Sequence, residues 1–332
     1  MKFGQVPLSE AAGAILAHSL QAGGRKIAKG TELTTVDLAD LEAEGLSEIT
    51  VARLEVGDVQ ENEAALALAQ MIVPDPEAQH VRISGAGAGR VNLYAATCGV
   101  VQLDAEQLKA VNEVDPMISI ATVPGWHRVD AGGMIATIKI ISYAVPQSAL
   151  LRAGAGAGGA LKVTAPAYGS ATLIETRVSD DTPSDKGRAA MAGRLDRMGL
   201  ELSPRVVVRH HEAELRQAIV EAPGDLVLIL TGSATSDPLD VAPQALRLAG
   251  GEVTRFGMPV DPGNLLFLGA LGDKPVVGLP GCARSPALNG ADWVLERVIC
   301  GIEVGNGDIA AMGVGGLLKE IPTRPMPRRS ES

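Results

Sequence analysis

From about residue 165 the chain alternates apolar runs with helix-like stretches, and this rhythm narrows the folds open to it more than any other feature. "ATLIETRV" reads as a strand, and "DKGRAAMAGRLDRMG" as a helix stopped by Gly199. "RVVVRH" and "HEAELRQAIVEA", then "DLVLIL" and "APQALRLAGG", repeat the pair. Strand alternating with helix predicts a mostly parallel sheet with helices on both faces, a three-layer α/β domain. Ligands of such sheets sit beyond the carboxyl ends of the strands, so each strand-to-helix loop is a candidate site.

Three segments stand out. After "LVLIL" comes "TGSATSDPLD", with Thr231, Gly232, Ser233, Thr235, Ser236, Asp237 and Asp240. Gly232 permits a turn without a β-carbon, the following amides can donate to an anion, and the hydroxyls add donors and acceptors. The two aspartates suit a ligand with amine or ring N–H groups, or a Mg²⁺ bridging to phosphate, with Asp240 the candidate metal ligand. Against this stands a local reading in which Asp237 caps the turn at Pro238 and Asp240 caps the helix near Pro243. In "TRVSDDTPSDKGR", Asp180, Asp181 and Asp185 crowd one strand end and repel unless a cation or ligand intervenes. Ser184 or Asp185 is equally a helix N-cap. The third segment holds two turns, Asp261-Pro262-Gly263-Asn264 and Leu279-Pro280-Gly281-Cys282, each beside a β-like run. Pro-Gly turns expose successive N–H groups, and Arg284 and Ser285 can supplement them for a phosphate.

Residues 1–150 predict a mixed α+β region. "TTVDLADLEAEG" is a helix capped by Thr34 or Thr35 and stopped by Gly45, "EITVARL" a strand, and "QENEAALALAQMIV" and "QLDAEQLKAVNEV" helices. "HVRIS", "RVNLYAA", "MISIATVP" and "MIATIKIISYAV" have strand composition, and "SEAAGAILAHSL" enters either a helix or a strand. The glycines at 85, 87 and 89 form a tight turn in preference to a ligand contact. Those at 154, 156 and 159 match G-x-G-x-x-G, but a helix-like stretch precedes them and a strand follows, the wrong context for a dinucleotide site. Residues 151–164 read as a Gly/Ala-rich linker, 165–318 as the α/β domain, and 319–332, rich in proline and arginine, as a disordered tail.

The net charge of -10, with no basic stripe outside the tail, argues against nucleic acid as a partner. No apolar run approaches a membrane span and the first residues lack a signal-peptide core. Three cysteines at no metal-ligand spacing fit reduced thiols in a cytoplasm. His210-His211 reads as a polar strand end, Trp126-His127 as a turn, and Cys282 as a small turn residue in preference to a metal-ligating thiolate. Asp292 and Glu296 share a helix face and read as solvated. Five scattered histidines make no Ser-His-Asp constellation.

Residues 165–302 resemble the molybdopterin-binding domain shared by molybdopterin adenylyltransferases and molybdopterin molybdotransferases. "LTGSATSDPLDVAPQAL" stands where that family has a strand, a glycine-rich Thr-Gly-Gly loop and an Asp before a helix, and Asp240 matches that Asp. "DPGNLLFLGALGDKPVVGLPGCARS" follows the molybdotransferase order of a Pro-Gly turn, a hairpin and Leu-Pro-Gly. "LSEAAGAILAHSL" and "GRKIAKGTELTTVDLADLEAEGLSEITVA" resemble the companion region of the molybdotransferases more weakly. The whole chain is similar to the molybdopterin-binding part of bacterial fusions with a nucleotidyltransferase domain, which it lacks room to contain after the tail. Ser233, Ala234 and Thr235 replace family glycines, Cys282 and Ala283 replace Asn and Pro, and Asn264 stands in place of a Lys.

The resemblance implies a binder of molybdopterin or molybdenum cofactor in cofactor biosynthesis. The phosphate would meet the amides at Gly232, Ser233, Gly281 and Cys282, and Asp240 with Asp181 or Asp185 would hold the pterin or a Mg²⁺. It further implies nucleotidyl transfer with ATP or CTP or metal insertion, a molybdoenzyme or nucleotidyltransferase partner, and homo-oligomers. Two alternatives remain: a non-catalytic carrier serving an apo-molybdoenzyme, and an unrelated nucleotide or sugar-phosphate enzyme on a similar sheet.

Overall fold

The computed structural model describes residues 1–261 and 264–318. The chain divides into two compact units, Met1–Thr97 with Val101–Val163, and Cys98–Val100 with everything from Thr164 on. No helix among the described residues is long and apolar enough to cross a membrane.

In the first unit a three-stranded antiparallel sheet orders Lys2–Pro7, Glu48–Arg53 and Ile15–Leu16. The helix Thr35–Ala43 accompanies it, and Leu16, Ile27, Leu41 and Val51 fill a small core. A four-stranded antiparallel sheet orders Ile118–Thr122, Met134–Ile140, Arg90–Ala95 and Val81–Ile83. Val91, Leu93 and Ala95 point inward while Arg90, Asn92 and Tyr94 do not, the alternation of a sheet with one wet face. The inward face packs against the helices Glu61–Ile72, Ala105–Val114 and Gln147–Gly154. "MIATIKIISYAV" is two strands, Met134–Ile140 and Ala144–Pro146, and "SEAAGAILAHSL" holds a 3-10 turn at Leu8–Glu10 and the strand Ile15–Leu16.

Both glycine tracts prove structural. Gly87 and Arg90 exchange two backbone hydrogen bonds of 3.0 Å around Ala88 and Gly89, whose φ values are +49° and +67°. This is a two-residue hairpin turn with positive φ at both centres. The second tract corrects the expectation of a linker over 151–164. Its first residues finish the helix Gln147–Gly154, and Ala153, Ala157, Ala160 and Leu161 are buried in the core of the first unit. A β-carbon on Gly154 would collide with the end of the Met71 side chain, so the two helices approach closely at that glycine.

The second unit holds a seven-stranded sheet. Glu201–Leu202, Val206–Arg209 and Leu226–Leu230 all run parallel to Ser170–Arg177, and Lys274–Gly278 runs parallel to Leu226–Leu230. Asn264–Leu271 and then Glu252–Met258 extend the sheet antiparallel. Every residue of "LVLIL" is buried because both faces are covered. Leu226, Leu228 and Leu230 pack with Met191 and Leu195 of the helix Asp185–Asp196 and with Val294 and Leu295 of the helix Gly290–Ile299. Val227 and Ile229 pack instead with Leu215 and Ile219 of the helix Glu212–Glu221 and with Ala245 and Leu246 of the helix Val241–Leu248. The tail 319–332, expected to be disordered, lies outside the described residues.

Candidate functional site

The strands 170–177, 226–230 and 274–278 are mutually parallel, so the loops that follow them leave at one edge. The strand 264–271 runs the other way and Asn264 pairs with Met258, which brings the corner after Met258 to the same edge. Side chains tie the loops together. Arg284 donates through Nη2 to the Thr231 carbonyl at 2.7 Å, and the Gly232 amide donates to Thr176 Oγ1 at 2.8 Å. Burial pushes the Cys282 thiol up although the residue as a whole is exposed, and the nearby Asp261 carboxylate pushes the same way. These contacts join the ends of the strands 170–177 and 226–230 to the 279–289 loop, with Asp261 near Cys282; Pro262 and Gly263 lie outside the described residues.

Within the 231–240 loop the expected roles shift. Thr231 and Thr235 are buried with hydroxyls 3.4 Å apart. A β-carbon on Gly232 would stand 2.6 Å from the Thr176 carbonyl, so this glycine serves strand packing. Its amide is taken by Thr176 and is not open to a phosphate, which corrects the expectation placed on it. Asp240 is the N-cap of the helix 241–248. Its Oδ1 accepts from the Val241 amide at 2.7 Å and its Oδ2 from the Ser236 amide at 2.9 Å. Asp237 accepts from the Leu239 amide at 2.8 Å, and Ser236 Oγ donates to the Ala234 carbonyl at 3.2 Å. The local reading of both aspartates is thus the one realised.

The carboxylates after the strand 170–177 are also dispersed. Arg205 clamps the buried Glu175 with Nε at 2.7 Å and Nη2 at 3.1 Å, then reaches Asp185 at 2.5 Å and the Pro183 carbonyl at 2.6 Å. Asp181 is exposed and meets only Ser179 Oγ, at 3.3 Å. Asp240, Asp181 and Asp185, expected to act on one ligand, each have a separate partner. No group of three metal-ligating side chains occurs among the described residues. With both oxygens of Asp240 already accepting backbone N–H groups, the donor set does not fit a resident Mg²⁺.

The 279–289 loop is organised from below. Gly281–Arg284 forms a 3-10 turn in which the Ala283 amide donates to the Pro280 carbonyl at 3.0 Å. Beneath it the buried Arg194 donates to the carbonyls of Ala283, Ser285 and Ala287 at 3.1, 2.9 and 3.1 Å. Its Nε pairs with the buried Asp292, which also accepts from the Asn289 amide at 2.8 Å. Asp292 is therefore no solvated helix residue, as the sequence suggested, but the partner of an internal arginine. Gly281 has open space where a β-carbon would be, and no hydrogen bond among the described residues takes its amide. Ser285 Oγ accepts from the Ala287 amide at 3.2 Å, and the buried Asn264 accepts from the Leu266 amide at 3.2 Å. Asp261, with φ +42°, donates its amide to the Gly316 carbonyl at 2.7 Å.

Sequence reasoning missed Arg194 and Arg205, whose partners lie far along the chain. His211 caps the helix 212–221 through its ring, and Trp126 has φ +64° in a turn. A cavity of about 250 Å³ lined by Tyr168, Leu268, Pro275, Val298, Ile302 and Val304 lies at the opposite edge, where the strands 170–177 and 274–278 begin. The Arg284 guanidinium lies at the carboxyl edge, against the Thr231 carbonyl.

Residues 171–298 match the family model described as a probable molybdopterin binding domain. The second unit thus carries a domain of the molybdopterin-binding family. Residues 5–53 match a domain of unknown function, DUF8806. Three solved structures are similar. The molybdopterin biosynthesis MoeA protein from Pyrococcus horikosii is 16% identical over 90% of this chain and 75% of its own, with a TM-score of 0.31. Molybdenum cofactor biosynthesis protein B is 17% identical over 40% and 88%, with a TM-score of 0.30. A molybdenum cofactor biosynthesis protein from Pyrococcus furiosus is 14% identical over 91% and 66%, with a TM-score of 0.25. At these identities and scores the likenesses carry no weight for function. No curated protein matches the chain significantly.

Proposed function

We propose that the second unit, read as a three-layer domain on a mostly parallel sheet, binds molybdopterin or the molybdenum cofactor at its carboxyl edge. The phosphate meets the Gly281 corner and Arg284, while the exposed Ser233 and Ser236 line one wall, backed by the buried Thr231 and Thr235, and Asp261 and Cys282 line the other. The observation that carries this is the convergence of the loops, with Arg284 of one corner seated on the Thr231 carbonyl of the next. A planar guanidinium pinned by one amino group keeps donors in a fixed fork for an oxyanion.

The same loops favour a binder that holds and hands on the pterin over an enzyme that transfers a nucleotide to it. The Gly232 amide and both Asp240 oxygens are engaged within the protein, and the described residues contain no group of three side chains suited to a metal ion. The reading carries with it a cytoplasmic homo-oligomer serving a molybdoenzyme or a separate nucleotidyltransferase. Mass spectrometry of the protein purified natively from cells supplied with molybdate tests it. The wild type should retain a pterin phosphate, Arg284→Glu should lose it, and Asp240→Ala should lose little. Absence of pterin from the wild type, or equal retention by Arg284→Glu, removes the site. Pyrophosphate release from ATP or CTP with molybdopterin would replace the carrier with a transferase.

A further inference from the structure

The Gly232 amide ends a short relay across the strand ends. Gly232 N–H donates to Thr176 Oγ1 at 2.8 Å, and Thr176 Oγ1 lies 2.9 Å from Nδ1 of His210. Thr176 is 1% exposed, so its hydroxyl has no recourse to water. A backbone N–H only donates, so Thr176 accepts at the first contact. Its own proton then needs an acceptor, and His210 Nδ1 is the group in reach. Were Nδ1 protonated, Thr176 would accept twice and its hydroxyl proton would be buried without a partner, a costly arrangement. The neutral ring with its proton on Nε2 satisfies all three groups.

We propose that His210 is a positioning residue for the 231–236 loop: its neutral ring orients Thr176, Thr176 holds Gly232, and protonation of the ring releases the loop. An imidazolium presents N–H at both nitrogens, so the acceptor at Nδ1 disappears. The backbone of His210 stays tied through its amide to the Arg177 carbonyl at 2.8 Å. Adjustment therefore falls on the side chains. Either the ring swings away and strands the Thr176 proton, or the Gly232 contact lengthens. Charged groups stand on the elements beside His210: Arg177 and Arg209 on the paired strands, and His211, Glu212, Glu214 and Arg216 at the following helix, with Asp237 and Asp240 in the 231–240 loop. Glu214 is engaged with the Arg209 amide at 3.0 Å. These groups set the field at the ring, but the mismatch of donors does not depend on their balance.

The relay is tested without any ligand. The Gly232 amide resonance should move in one step as the pH is lowered and the ring takes up a proton. The step should vanish in His210→Gln and Thr176→Val and survive in Thr176→Ser, which keeps the hydroxyl should the valine variant fail to fold. A flat Gly232 resonance in the wild type, or an unchanged step in His210→Gln, overturns the proposal. A second arm rests on the pterin-site reading and uses inorganic pyrophosphate as probe. Its affinity should fall about threefold to tenfold more on acidification in the wild type than in His210→Gln, the worth of one hydrogen bond. Equal falls in both proteins overturn the link from relay to binding. Failure of pyrophosphate to bind at any pH counts against the site and leaves the Gly232 titration to decide the relay.

Discussion

Two helices, one in each unit, open with the same device. Thr34 and Asp37 form a capping box before Thr35–Ala43, and Asn289 and Asp292 form one before Gly290–Ile299. In each, the aspartate also pairs with an arginine. Arg25 meets Asp37 at 2.7 Å with its own side chain 46% exposed, whereas Arg194 beside Asp292 is only 5% exposed. Asp37 itself is buried, but its arginine stands half in water, which screens the pair and holds its contribution to about 1 kcal/mol. The buried guanidinium cannot be resolvated, so it also gathers the carbonyls of Ala283, Ser285 and Ala287. The same local signal thus fixes a helix end in the first unit and an entire loop in the second.

The comparison can be broken. Arg194→Met leaves Asp292 buried without its partner and should cost about 3–5 kcal/mol in urea unfolding. Arg25→Met should cost under about 1 kcal/mol, and equal costs would erase the distinction. Gly232→Ala drives a β-carbon toward the Thr176 carbonyl and should cost about 1–3 kcal/mol. Asp240→Ala removes a cap and should cost about 1 kcal/mol, with pterin retention measured alongside.

Asp37 sharpens the contrast through acid. The Thr34 hydroxyl, then Arg25, lower its pKa from 3.8 to about 2. Its contribution is complete above the ordinary carboxylate value and is lost as pH falls toward about 2. Unfolding followed from neutral to acid pH should show this loss, and Asp37→Asn should remove it. The smallest effect belongs to Gly281→Ala, within about 0.5 kcal/mol, since the space around it is open. A larger cost would mean that the Gly281 corner is packed like the Gly232 turn.

The strand and helix order of the second unit was legible because buried parallel strands are uniformly apolar and their helices carry ordinary stops. The convergence of loops was legible for the same reason, since parallel strands send their loops to one edge. Individual roles were not. Whether Asp240 caps a helix or binds a ligand depends on the Ser236 amide folding back, and "DPLD" permits both. Asp292 looks solvated from its helix face alone, because its partner lies 98 residues away. The tract 151–164 misled because glycines that allow helices to approach closely have the composition of glycines that confer flexibility.

The three antiparallel strands between Glu252 and Gly278 have a consequence for how such a rim can diversify. Their bends alternate between the two ends of the sheet, so the bend after Met258 forms part of the rim while the bend near Gly272 lies at the far side. Residues inserted after Asp261 would lengthen the chain between the two strands and leave their pairing intact. A one-residue slip within Asn264–Leu271 would instead exchange Phe267 with Leu266 and Leu268 between the two cores. The shape of the rim and the integrity of the sheet are in this way inherited by separate stretches of chain, and each can drift without the other.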